Sequence, residues 1–113
     1  MSKPLKQFFL ICPLALATLY VTSFYNNQPA IAVGLLATLA LLMLAVEWNM
    51  RNILLYIAVL VSGPVAEAIA IYFGAWNYTN PTWGGIPIWL PFVWGNAALY
   101  IVRVKALIDS VIK

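Results

Sequence analysis

Four apolar segments run along the chain, Phe8 to Tyr25, Pro29 to Val46, Ile53 to Phe73 and Ile88 to Val104, each bounded by polar residues, prolines or glycines. A helix needs about 20 apolar residues to cross a hydrocarbon layer ~30 Å thick, and each segment is close to that length. The second is a near-continuous run of apolar helix formers. Barrel strands would alternate with a period of two, so the pattern predicts helices. No linker, low-complexity tract or internal repeat divides the segments. The expectation is an all-α polytopic membrane protein with one four-helix transmembrane domain over residues 1–113.

Composition points the same way: 65% of the residues are apolar, 8% are charged, and the mean hydropathy is +0.94. No soluble core of this size needs so much apolar surface. A secretory signal is the competing reading of the first segment, since Lys3 and Lys6 precede it. Its apolar run exceeds the ~7–15 residues of a signal core, which favours a retained helix. Pro13 falls in the second turn of that helix, where a lost hydrogen bond is tolerated. The single Cys12 has no intrachain partner and reads as a packing residue.

With four spans, Lys3, Lys6, Arg51, Arg103, Lys105 and Lys113 all fall on one side, and the two connections on the other side carry no charge. The positive-inside rule makes the basic side, with both termini, cytoplasmic. A multi-pass protein of the cell inner (plasma) membrane follows, and the net charge of +3 requires no nucleic-acid partner. Glu47 and Arg51 stand four apart in the order that favours a helical ion pair. Charges alternate with apolar residues from Lys105 to Lys113, as in a helix end lying along the inner surface.

Glu67 is the one charged side chain that must sit at membrane depth, and no basic residue is near it in sequence. An ionisable group in hydrocarbon is a functional candidate by default, and burial without a cation favours the neutral acid. It stands fourteen residues beyond Ile53, roughly 21 Å along the helix and so in the outer half. Pro64, three residues earlier, removes a helix hydrogen bond and predicts a bend that frees a carbonyl near Leu60. Gly63, Ala66, Ala70 and Gly74 share a small-residue face with Glu67, the kind of face that meets other helices. Asn96, about two and a half turns into the fourth segment, lies at a comparable depth and is the expected partner of Glu67. It serves either as interhelical glue or to orient the acid.

Eight of the sixteen aromatic residues fall between Tyr72 and Trp94, around the connection Gly74 to Pro87. A membrane-interface belt explains aromatics on both connections. The other connection, Asn26-Asn27-Gln28, has only Phe24 and Tyr25 beside it. The imbalance suggests a lid or ligand wall. The candidate site comprises Glu67 and Asn96 as catalytic residues, with Gly63, Pro64, Trp76, Tyr78, Trp83, Pro87, Trp89 and Trp94 as ligand-binding residues.

The acid nine residues before Trp76-Asn77-Tyr78, with Pro81 and then Gly85-Ile86-Pro87 at the next helix start, resembles the small membrane lycopene cyclase domains of bacterial and fungal carotenoid biosynthesis. The similarity spans about Glu67 to Pro91. It implies short helical units that act in pairs and cyclise a polyene by protonation without net redox change, with Glu67 as proton donor. The paired carboxylates that follow the proline in that family have no counterpart here, where Ile88, Trp89 and Leu90 stand instead. Such chemistry needs an acid, aromatic faces to stabilise cations, and exclusion of water, and Glu67 with the tryptophans could supply all three.

Two other classes remain open. Four helices of this length with one membrane glutamate are similar in architecture to the small multidrug resistance exporters, proton-coupled transporters that work as dimers. The chain could equally be an accessory subunit of a membrane complex, docking through its aromatic connection. The expected partners are a membrane lipid or isoprenoid ligand and either a second copy or another membrane subunit. The absence of His, of a Cys pair and of clustered carboxylates argues against metal, haem or iron–sulfur cofactors, and no cofactor is expected. Trp83-Gly84-Gly85 lacks the Gly-Lys-Ser/Thr ending of a nucleotide loop.

Overall fold

In the structure, a computed structural model that describes residues 1–112, every apolar segment becomes one helix: α1 (Lys3–Tyr25), α2 (Pro29–Val46), α3 (Met50–Tyr72) and α4 (Leu90–Val111). Lys113, the last basic residue of the charge pattern, lies outside the described residues. No strand forms among those described, only an isolated antiparallel bridge between Trp83 and Ile86. α1, α2 and α3 are each long and apolar enough to cross a membrane, whereas α4 is not. The fold is therefore all-α, and its apolar helices mark a membrane protein.

Local chemistry sets the helix ends. Ser2 caps α1 by accepting from the Leu5 N–H, and Pro4 occupies its first turn. Pro29 opens α2, whose end is fixed by the extended backbone of Glu47. Asn49 then caps α3 by accepting the Asn52 N–H at 2.8 Å. At its far end, Gly74 adopts φ 85°, the Gly74 N–H donates to Ile71 O and the Ala75 N–H to Ala70 O. This left-handed glycine cap satisfies carbonyls that α3 leaves open. α3 runs continuously through Pro64. The segment after Lys105 is helical, as the end of α4, which is continuous to Val111.

α4 packs against all three other helices, α1 also packs against α2, and α3 is held chiefly by α4. This central position lets α4 carry polar residues in the interior. Its buried residues include Gly95, Asn96 and Arg103 together with Leu90, Ala98 and Leu99, all of which face protein. The α3–α4 seam is a reciprocal pairing of glycine and aromatic ring. A Cβ on Gly63 would lie 2.2 Å from the Trp94 ring, and one on Gly95 would lie 2.4 Å from the Tyr56 ring. Only a bare Cα lets each ring approach so closely.

The apolar interior divides into two clusters. Ile11, Ala40, Met43, Leu44, Tyr56 and Leu99 fill the half nearer the termini. Val21, Ala32, Leu36, Trp89 and Leu90 fill the half nearer the α1–α2 and α3–α4 connections, here termed the connector end. Large side chains such as Leu16, Leu19, Leu54, Ile57, Val61, Val65 and Ile69 remain exposed along the helices. So much outward apolar surface on a single chain calls for lipid or a protein partner.

The charges at the terminal end pair differently from the sequence expectation. Glu47 joins Arg103 and Lys3, not Arg51, which stays exposed. The spacing of Glu47 and Arg51 favours pairing only within one helix. Here Glu47 ends α2 in an extended conformation and Arg51 belongs to α3, so the rule does not apply. Arg103, buried within α4, bonds Glu47 and donates to Gln7 Oε1 at 2.7 Å. The hydrogen bond from Arg103 pulls the Glu47 carboxyl below the usual carboxylate range, against an opposing push from burial and with further help from the charges of Arg103 and Lys3.

Candidate functional site around Glu67

Between α3 and α4 the chain folds over the connector end. Trp83 and Ile86 close a two-residue turn, and Gly84 and Gly85 have φ 60° and 82°. Two consecutive positive φ values demand glycine or asparagine, so the Gly-Gly pair serves turn geometry rather than phosphate binding. The Ile88 N–H donates to Thr82 Oγ1, and the Trp89 indole N–H donates to Asn26 O at 3.1 Å. Asn80 donates to Asn27 Oδ1, which ties the long connection to the short one. These bonds place Tyr78 and Trp89 against the core, with their rings edge to face and centroids 6.0 Å apart.

Glu67 faces this assembly from α3. Its Oε1 accepts from the Tyr78 hydroxyl at 2.5 Å, and its Oε2 accepts from the Trp94 indole N–H at 2.5 Å. Both donors are uncharged, and among the described residues no salt bridge reaches the carboxyl. An indole N–H can only donate, which makes Oε2 an obligate acceptor. The phenol can give or receive, so Oε1 can accept from Tyr78 or, when it carries a proton, donate to it. Burial is the main cause that raises the Tyr78 pKa above its ordinary value. The bond to Glu67 and its charge add to the rise, against a smaller lowering by Trp76. Gly63 contributes by admitting the Trp94 ring, and Pro64 is buried beside it.

The Glu67–Asn96 pairing expected from depth is not formed. The Asn96 side-chain nitrogen donates to Thr18 Oγ1 at 3.1 Å and to Leu36 O at 3.3 Å, which joins α4 to α1 and α2. Residues two apart on a helix point about 200° apart, so once Trp94 faces α3, Asn96 must face the opposite side. Asn96 is 1% exposed, and its Oδ1 has no hydrogen-bond partner among the described residues. The small-residue face also divides, since Gly63 is buried whereas Ala66 and Gly74 are exposed. Of the loop aromatics, Tyr78 and Trp89 reach the site. Trp83 is 82% exposed and Trp76 47%, and neither lines a cavity described below.

Among the described residues, three cavities that share lining residues follow one another along the α1–α4 side. The middle one, about 320 Å³, is lined by Glu67, Tyr78, Trp89, Val93, Trp94 and Thr22, among others. At the connector end a cavity of about 290 Å³ shares Thr22, Tyr78 and Trp89 with it and adds Asn26, Asn27, Thr79, Asn80 and Pro87. Toward the terminal end a cavity of about 370 Å³ shares Val93 and Ala97 with the middle one. Its wall includes Cys12, Leu16, Leu19, Asn96 and Tyr100. Sequence reasoning missed Thr18 and Thr22, whose hydroxyls donate to Leu14 O and Thr18 O within α1. Their four-residue spacing on an otherwise apolar helix was the available signal. No family model, curated protein or solved structure matches this chain.

Proposed function

We propose that the chain crosses the membrane four times with both termini cytoplasmic, and that its Glu67 cavity takes an isoprenoid or similar apolar chain for non-redox proton transfer of the lycopene-cyclase type. The observation that carries the reading is the Glu67 carboxyl held by Tyr78 and Trp94 on the wall of a tryptophan-lined cavity, with no cation in contact. A carboxyl held by a phenol and an indole N–H, beside indole faces that stabilise a carbocation, suits the isomerisation or cyclisation of a polyene. A fourth crossing by α4 is supported by its packing against the three apolar helices and by the apolar Ile101 and Ile108 that it leaves exposed. The connector end, which lacks charge, is then the outer end.

The test is co-expression in cells that make an acyclic polyene, with the pigments separated by chromatography and weighed by mass spectrometry. The reading predicts a product of unchanged mass and altered spectrum with wild type, and none with Glu67→Gln. Unaltered pigment with folded wild type would remove the catalytic part of the proposal. Uptake of cations driven by a proton gradient in vesicles would favour the transporter. The accessory-subunit reading draws support from Tyr72, Phe73 and Trp83, which are exposed together near the connector end. A stoichiometric membrane partner bound through these residues would favour it.

A further inference from the structure

The three cavities differ in chemistry in a consistent order. The one at the connector end is walled by the amides of Asn26, Asn27 and Asn80 and the hydroxyls of Thr22, Thr79 and Tyr78, with no charged residue. The Asn27–Asn80 bond uses one oxygen and one amide N–H, so further donor and acceptor capacity remains on both side chains. Next comes the Glu67 cavity with its aromatic wall, and after it the cavity lined by Cys12, Leu16, Leu19 and Tyr100. On α1 the lining runs from Thr22 back to Cys12, and on α4 from Leu90 to Tyr100. Ten residues of helix on each side make a seam roughly 15 Å long. Leu16, Leu19 and Ala97 are exposed along it, so the seam opens sideways toward lipid.

We infer that the site takes a linear amphiphile with an uncharged polar head, drawn laterally from the outer leaflet, its head among Asn26, Asn27, Thr79 and Asn80 and its chain passing Glu67 into the α1–α4 seam. This inference rests on the Glu67 cavity being a ligand site, as proposed above. Charge decides the head. No Lys or Arg lies between Lys6 and Arg51 or between Arg51 and Arg103, so a phosphate at the mouth would have no counter-ion and would face the Glu67 carboxyl beyond it. A hydroxyl or amide head exchanges its water contacts for the amides and hydroxyls of the mouth at little cost. The elongated, mostly apolar seam suits a chain, and its few polar side chains are Thr18 and Asn96, bonded to each other, and Tyr100.

The test uses the full chain in phosphatidylcholine nanodiscs and three probes that share one chain: geranylgeraniol, geranylgeranyl phosphate and the hydrocarbon phytane, with binding followed by tryptophan emission. The alcohol should bind about tenfold or more tighter than either of the others. Asn27→Lys, an exposed change at the mouth, should narrow or invert the preference between alcohol and phosphate. Ala97→Trp, which fills the wall shared by two cavities, should abolish binding of all three, with Ala97→Leu intermediate and melting of both variants close to wild type. Phosphate or phytane binding as tightly as the alcohol in wild type overturns the neutral-head inference, yet loss of that binding in Ala97→Trp would leave the Glu67 site standing. Absence of binding by every probe, or indifference to Ala97→Trp in folded protein, would overturn the site and the inference together.

Discussion

Gly63→Ala tests the packing on which the Glu67 geometry depends. The new Cβ would lie 2.2, 2.3 and 2.7 Å from Cδ2, Cγ and Cε3 of Trp94. Carbon atoms settle at about 3.5–4.0 Å, so the ring must retreat by more than about 1 Å. Its N–H donates to Glu67 Oε2 at 2.5 Å, and a retreat of that size carries the bond to the edge of hydrogen-bonding range. Overpacking costs about 1–3 kcal/mol. Loss of a bond to a carboxylate adds about 1.5–3 kcal/mol. Replacing a helical glycine returns about 1 kcal/mol. The net expectation is a loss of roughly 1.5–5 kcal/mol, measured by SDS-driven unfolding in mixed micelles, together with weaker ligand binding. Gly34→Ala is the control, because nothing lies within 4 Å of its Cβ position, and it should be neutral or slightly stabilising. Trp94→Leu in the Gly63→Ala background should recover part of the loss, since neighbours in contact are not additive. Equal stability of the two alanine variants would refute the close approach of Trp94 to Gly63, and with it the account of how Glu67 is held.

Arg103→Met should cost about 2 kcal/mol, since it removes charge-assisted bonds to Glu47 and Gln7, and the loss should show in the same unfolding titration. Because the folded Glu47 carboxyl titrates below its ordinary 4.5, its contribution is complete above about that pH. It is lost as pH falls through the lower folded value, a decline that Glu47→Gln should abolish. In a Cys12→Ser background, cysteines at Asn27 and Thr79 should react with an impermeant reagent from outside and one at Arg51 should not; the reverse pattern would overturn the four-crossing topology. Asn96→Leu should change stability by no more than about 1 kcal/mol, because two donated bonds are lost while an orphaned oxygen is removed. It should leave the Glu67 environment unaltered, and a variant that disturbs that environment would place Asn96 back in the site.

What was legible in the sequence is local. The apolar runs located all four helices, with α2 matched at both ends, but α1 starts five residues before Phe8 and α4 ends seven after Val104, because a helix continues through polar and basic residues until a cap such as Ser2 stops it. Glu67 was legible because a carboxyl is rare in such a helix. Its partners were not, since depth alone admits Asn96 and Trp94 equally. Only the facing of α4 separates them, and that facing is set by the Gly63–Trp94 and Gly95–Tyr56 contacts across two helices. Arg103 read as an interfacial charge because its burial comes from α4 being central, a property of helix arrangement rather than of the segment itself. Trp76 and Trp83 entered the predicted wall by composition, but the left-handed turn at Gly84-Gly85 and the bonds of Trp89 turn only part of the connection inward.

The central claim is that a bound apolar chain meets the Glu67 carboxyl between Tyr78 and Trp94. It is tested most directly by infrared difference spectra of protein labelled with carbon-13 glutamate in nanodiscs, recorded on addition of geranylgeraniol, with Glu67→Gln identifying the Glu67 band. A shift of that band on ligand addition, absent in Glu67→Gln and altered by Tyr78→Phe, is the predicted result. A Glu67 band that stays unmoved while tryptophan emission reports the alcohol bound would contradict it.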